Sequence, residues 1–213
     1  MTADGRPVSK ASELIADDAV VEAVAAHPWV GRGALKLVHA LDLWPVAVEG
    51  RVVLDVGAST GGFTEVCLAR GAARVYAVDV GRGQLHPKVA ADPRVVGLET
   101  TDARDLTPAL IPQAPGLIVT DVSFISLAKA LPAALTLAGE GADLVALVKP
   151  QFEVGPNNVG KGGIVTDDGV RAGALETVRA FVTRSGWTVR ETAESPIEGG
   201  DGNREFLLWA SRF

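Results

Sequence analysis

From Arg51 onward, short β-branched and aliphatic runs alternate with segments whose apolar residues recur at helical spacing. The runs predict strands over 51–56, 74–79, 94–99, 116–121 and 142–148. The periodic segments predict helices over 62–70, 125–138 and 169–185, with a poorly defined one over 83–91. Such alternation implies an α/β fold, a doubly wound parallel sheet with helices on both faces. The end of the chain breaks the pattern. "GWTVRETAE" and "NREFLLWAS" are two strand-like runs joined by "SPIEGGDG", and they read as an antiparallel final strand pair closing the sheet edge. Before the pattern begins, "GRPVSKASELIADDAVVEA" is polar with scattered apolar residues, too short to build a core of its own.

Composition narrows the class. With 213 residues, 47% hydrophobic and 22% charged, the chain holds one α/β domain and little more. No 18-residue apolar run is free of charge, and the first residues carry no apolar signal region, so the expectation is a cytoplasmic protein without a membrane span. One cysteine, Cys67, excludes an internal disulfide, and three scattered histidines suggest no ligand set, so no metal is expected. A net charge of −6 does not advertise nucleic-acid binding; an RNA partner would need locally clustered basic residues. Candidates near the cofactor edge are Arg6, Lys10, Arg32, Lys36, Arg82, Lys88, Lys161 and Arg204.

The stretch "VVLDVGASTGGFTEVCLARG" places a glycine-rich loop between a strand and a helix. A Walker-type phosphate loop needs a lysine at the helix start, and none is present. A dinucleotide loop needs G-x-G-x-x-G, whereas here Ser59 stands in the middle glycine position between Gly57 and Gly62, with Gly61 and Phe63 completing the turn. Asp55, two residues before Gly57, would repel a pyrophosphate but suits the ammonium and sulfonium charges of S-adenosylmethionine. Asp79, at the end of the second strand, suits the ribose hydroxyls. Asp102, in "TTDARDL" after the third strand, suits the adenine amine. The expected ligand is S-adenosyl-L-methionine.

The methyl acceptor is constrained by what is missing. Exocyclic base nitrogens are usually methylated from an Asn/Asp-Pro-Pro-Tyr/Phe loop, and the equivalent here is "TDVSF". Pyrimidine C5 transfer needs a cysteine nucleophile, but Cys67 lies mid-helix and reads as a buried structural thiol. Lys149 ends an apolar strand at the carboxyl edge of the sheet, where ligands bind in such folds and where desolvation lets a lysine act as a base. Lys36 precedes the first strand, Asp121 ends the fourth and Glu205 starts the last. A ribose hydroxyl is a weak acid whose methylation calls for a positioned base, and two lysines with two carboxylates supply that combination.

These residues resemble a known family. "GRGALKL", "LDVGASTGGFT", "YAVDVGRGQL", "TDVSFISL", "LVALVKPQFE", "GKGGIV" and "SPIEGGDGNREFLLW", in that order over roughly 28–211, are similar to the TlyA (hemolysin A) family of ribosomal RNA 2′-O-methyltransferases, relatives of the FtsJ-like enzymes. The resemblance implies a Rossmann-like, S-adenosylmethionine-dependent methyltransferase domain over 28–213. It also implies a catalytic tetrad of Lys36, Asp121, Lys149 and Glu205, and methylation of cytidine ribose in 16S and/or 23S ribosomal RNA, with ribosomal RNA or subunits as partners. Three departures stand out. Gly31 and Ala34 replace a serine and a glycine near the first lysine, and Thr166 and Arg171 stand where arginine and histidine are common. Residues 1–27 resemble only the closing part of the family's S4-type RNA-binding module, a partial remnant or extension. The family name brings a rival reading, a membrane-active hemolysin, which neither a spanning segment nor a cationic amphipathic helix supports. A non-catalytic RNA-binding assembly factor is a third reading, and it would have no use for a lysine at a reactive centre.

Overall fold

The computed structural model describes residues 2–8, 13–22 and 27–213. The N-terminal segment forms a small antiparallel sheet of two-residue strands, β1 (Thr2–Ala3), β2 (Arg6–Pro7) and β3 (Val21–Glu22). Leu14, Val20 and Val21 stay exposed, so among the described residues this unit buries no core. Lys10 lies outside the described residues.

The main sheet has seven strands: β4 (Val52–Val56), β5 (Arg74–Val78), β6 (Val95–Leu98), β7 (Leu117–Thr120), β8 (Asp143–Val148), β9 (Thr188–Glu194) and β10 (Phe206–Ser211). Their order is β6-β5-β4-β7-β8-β10-β9, with β4 to β8 parallel and β10 antiparallel to both its neighbours. Every predicted strand is present, shortened by one to three residues. The order reverses direction after β6, so the ends of β4 and β7 flank the crevice where ligands bind in such sheets.

The helices are α1 (Ala34–Leu43), α2 (Gly62–Ala69), α3 (Pro87–Ala90), α4 (Leu127–Ala130), α5 (Pro132–Leu137), α6 (Pro150–Glu153) and α7 (Asp168–Arg184). The single helix predicted over 125–138 is two, because Pro132 offers no N–H to continue the ladder and starts a new helix instead. The poorly defined one shrinks to a single turn opened by Pro87, with the His86 side chain accepting from the Lys88 N–H. Helix α1 is an addition: it starts behind Gly33 without a side-chain cap, so it lacks the polar signal that marks a helix start.

Alternation within the strands sorts the core into two layers. Leu54, Val56 and Ile118 pack under α4, α5 and α7, while Val53, Leu117 and Val119 pack under α1 and α2. Cys67 belongs to the second layer, fully buried, and burial pushes its thiol well above the ordinary range. This is the structural role its mid-helix position implied.

Candidate active site

Four charged side chains converge at the carboxyl edge of the sheet. Asp121 directly follows β7 and Lys149 directly follows β8. Glu205 precedes β10, and because β10 runs antiparallel with Phe206 opposite Val148, the start of that strand lies beside the end of β8. Lys36 arrives from the first turn of α1. Two ion pairs result. Lys36 Nζ donates to Glu205 Oε2, both side chains almost wholly buried. Lys149 Nζ lies 2.5 Å from Asp121 Oδ1, off the hydrogen-bonding axis, and donates to Ser123 Oγ at 2.8 Å. Burial raises the Glu205 carboxyl above its ordinary range, and the Lys36 ammonium opposes that shift. Close backbone approach makes this packing possible: a Cβ at Gly33 would stand 3.0 Å from Asp121 Oδ2, and Gly57, at φ +84°, would carry one 3.0 Å from the Asp121 carbonyl.

Two cavities meet at this edge. The larger, about 430 Å³, is walled by Val56, Val78, Val80 and Val122 and opens beside Gly57, Ser59, Asp79 and Asp102. The smaller, about 210 Å³, is polar and holds Arg32, Gly62, Phe63, Thr60 and Lys149. Gly57, Ser59, Asp121 and Ser123 line both, so the lysine and its carboxylate sit where one cavity passes into the other.

The residues assigned to the cofactor divide accordingly. Asp79 accepts from the Ser59 N–H at 2.8 Å and the Gly81 N–H at 2.7 Å, one on each oxygen, leaving further lone pairs toward the cleft. Ser59 takes φ +47°, the left-handed conformation that glycine adopts in related loops. Asp102 lines the cleft, yet its carboxylate is held by its neighbour's guanidinium (Arg104 Nη2 at 2.6 Å, Nε at 2.9 Å), which lowers its pKa to about 2. Two assigned residues line neither cavity. Asp55 is 0% exposed behind the loop, where it accepts from Thr64 Oγ1 at 2.6 Å. Burial, reinforced by the Asp121 and Asp79 charges, raises it to about 7. Gly61, at φ +92°, faces Leu85 and Val89. The expectation is that Asp55 meets the sulfonium side of the ligand; in this structure it lines neither cavity and joins β4 to α2 through Thr64.

The basic rim also differs from expectation. Arg32 precedes α1 and is exposed, while Lys36 is buried and points away from that rim into its pair with Glu205. Arg32 Nη2 reaches across to the Glu198 carbonyl at 3.2 Å. Lys88 pairs with Glu65 and Arg204 with Glu194. Arg171, an open question at the substrate loop, is buried and donates to the Val165 and Thr166 carbonyls, a brace within the loop. Arg6, Arg82 and Lys161 are exposed. Sequence reasoning missed Ser123, the hydroxyl on Lys149, and Phe124, which is 90% exposed at φ +66°. The sequence signal was only "TDVSF", a serine and an aromatic directly after the strand that ends at Asp121; the exposure and left-handed turn are visible in the structure alone.

Residues 29–212 match the FtsJ-like methyltransferase family. The chain belongs to that family. Over 97% of its length it is 50% identical to a Mycobacterium tuberculosis protein named 16S/23S rRNA (cytidine-2′-O)-methyltransferase TlyA, of which the match covers 78%. A solved structure described as a hemolysin from Lactococcus lactis superposes with a TM-score of 0.84 at 41% identity, covering 87% of this chain and 89% of that one. The fold alone is shared with an S-adenosylmethionine-dependent methyltransferase from Mesorhizobium loti, TM-score 0.63 at 17% identity, covering 84% of this chain and 99% of that one. As an FtsJ-like enzyme, the chain uses S-adenosylmethionine. The apolar cleft, with the Asp79 carboxylate among its lining residues, fits that molecule in both chemistry and size. Among the described residues no helix is long and apolar enough to cross a membrane, and no group of three or more His, Cys, Asp or Glu side chains could hold a metal ion.

Proposed function

We propose that this FtsJ-like enzyme methylates the 2′-hydroxyl of cytidine in ribosomal RNA of the small subunit, the large subunit or both. The observation that carries the reading is Lys149 Nζ, held by Asp121 and Ser123 at the junction of the two cavities. The name of the M. tuberculosis relative supplies the nucleotide. Asp79 and the Gly57–Gly62 loop hold S-adenosylmethionine in the larger cleft, with Asp102 beside the adenine. Bound there, it supplies an electrophilic methyl group on a sulfonium. The acceptor ribose enters the polar pocket. Lys149 orients its 2′-hydroxyl and, when unprotonated, takes the proton as the oxygen–carbon bond forms and the carbon–sulfur bond breaks. The buried Lys36–Glu205 pair keeps a charge-balanced floor beneath this centre, and Arg32 at the pocket mouth faces an incoming phosphate. The setting is the cytoplasm, where ribosomal RNA is assembled.

The experiment is transfer of tritium from labelled S-adenosylmethionine to ribosomal subunits, followed by mapping of 2′-O-methyl positions. Leakage from red cells or liposomes is measured alongside, since a protein described as a hemolysin shares the fold. Label in cytidine ribose without leakage supports the proposal. Leakage without label supports the hemolysin reading, and RNA binding with neither supports an assembly factor.

A further inference from the structure

The loop that follows Asp79 is fastened by a carboxylate that lines neither cavity of the active-site edge. Glu99 directly follows β6, and its Oε1 accepts from the Gln84 N–H at 2.8 Å and the Leu85 N–H at 3.3 Å. Together with the Gly83 amide, these groups hold the Glu99 carboxyl below its ordinary range. Backbone bonds continue the join past the strand ends. The Thr100 N–H donates to the Gly81 carbonyl at 2.9 Å, and the Thr101 N–H to the Asp79 carbonyl at 3.0 Å. Thr100 sits at φ +54°, a conformation that a β-branched residue adopts only where its surroundings impose it. The other side of the loop is fixed as well: the His86 N–H donates to the Thr60 carbonyl at 3.1 Å, and a Cβ at Gly61 would stand 2.8 Å from Leu85 Cδ1.

What this loop presents to the cleft is Gln84. Its side chain folds back over Gly81, where a Cβ would collide with the Gln84 amide and stand 3.0 Å from Asp79 Oδ1. The amide and the carboxylate therefore crowd one point at the same end of the cleft. Their chemistry is complementary toward a hydroxyl, which both donates and accepts. A carboxylate only accepts, and the Ser59 and Gly81 N–H groups are already committed to Asp79. The oxygen of a hydroxyl held there still needs a donor. Among the described residues that line the cleft, Gln84 is the one side chain with an N–H.

We propose that Gln84 is a further cofactor-binding residue, its amide donating to a ribose hydroxyl from which Asp79 accepts, and that Glu99 is the positioning residue that holds its loop in place. The assignment rests on the reading of Asp79 as the ribose partner and deepens it.

Calorimetry on the full chain tests it, comparing S-adenosylhomocysteine with an analogue whose ribose lacks both hydroxyls. The parent should bind the first roughly a hundredfold more tightly, as hydrogen bonds to a carboxylate and from an amide imply. Gln84→Ala and Glu99→Ala should each cut that ratio to about tenfold while affinity for the analogue stays at the parent's value, which also shows that both variants fold. Glu99→Gln keeps an acceptor for the loop amides and should restore most of the ratio. Amide exchange in the apo protein gives a readout free of ligand. Gly83, Gln84 and Leu85 should exchange about tenfold faster in Glu99→Ala than in the parent, and at the parent's rate in Gln84→Ala. Variants that keep the parent's ratio, whether or not affinity falls for both ligands, overturn the proposal and leave Asp79 on the ribose. Unchanged exchange in Glu99→Ala overturns the positioning role. A parent that binds both ligands alike removes the ribose from this end of the cleft and overturns both readings.

Discussion

At the residue scale, Asp79 and Asp55 show how similar carboxylates in one loop region come to different ends. Asp79 stands at the mouth of the cleft and is already organised by two backbone amides. Asp79→Ala loosens the loop at Ser59 and Gly81 and, with Asp79 on the ribose as proposed, removes an acceptor from the ligand. Calorimetry should show S-adenosylmethionine binding weakened by about 1.5–3 kcal/mol, the range for hydrogen bonds to a charged group; unchanged affinity would remove Asp79 from the site. Asp55 is sealed behind the same loop, with its pKa raised to about 7 from 3.8. Between those values the folded chain keeps a proton that the unfolded chain releases, so stability falls as pH rises through that window and levels off above it, the reverse of an ordinary aspartate. Asp55→Asn mimics the neutral form. Denaturation of the apo protein should show the variant gaining on the parent from pH 5 to pH 8; a constant gap would mean that Asp55 is ionised throughout. Lys149→Ala should abolish methyl transfer with cofactor affinity retained, because the lysine lines the polar pocket and not the larger cleft. Loss of both together would make the lysine a structural group.

At the scale of elements, the loops after α6 and β9 are fastened by one side chain. Asn203 is buried, accepts from the Val165 N–H at 2.9 Å and donates to the Gly163 carbonyl at 2.9 Å. This joins the 160–165 loop to the strand approach that carries Glu205. Asn203→Ala leaves two backbone groups unpaired and should cost about 1–3 kcal/mol of stability. Limited proteolysis should then cut first within 160–165, and an unchanged cleavage pattern would show that Arg171 alone holds the loop. Neither pairing was visible beforehand. Asparagine in a glycine-rich loop reads as a turn former, and its partners lie about forty residues away. Lys36 and Glu205 were legible as charged residues beside apolar elements, but their pairing depends on which sheet edge each reaches.

For the whole molecule, the net charge of −6 governs the approach to RNA. Of the candidate basic residues, Lys36 is buried in an ion pair, Lys88 and Arg204 are exposed but ion-paired with Glu65 and Glu194, and Arg6, Arg32, Arg82 and Lys161 are exposed. With few phosphate contacts, binding to a bare ribosomal RNA fragment should be weak, and its logarithm should fall only gently with log salt. Fusing a complete S4 module to the N-terminus should tighten binding and steepen the slope, as each added contact releases roughly one counterion. Tight binding with a steep slope by the chain itself would show that the catalytic domain alone carries the RNA surface.

Local pattern was enough to determine the alternation of strands and helices, the antiparallel last pair, the glycine loop and the four charged residues of the candidate centre. These depend on periodicity and on residue chemistry within a few positions. Only the tertiary structure decided that Asp55 lies behind the loop while Asp79 lies before it. Alternate residues of a strand face opposite sides, but what waits on each side is set by distant helices. It also decided that Lys36 pairs with Glu205 and Lys149 with Asp121. Strand order alone brings the start of β10 next to the end of β8, and no short-range signal in the chain encodes that long-range pairing.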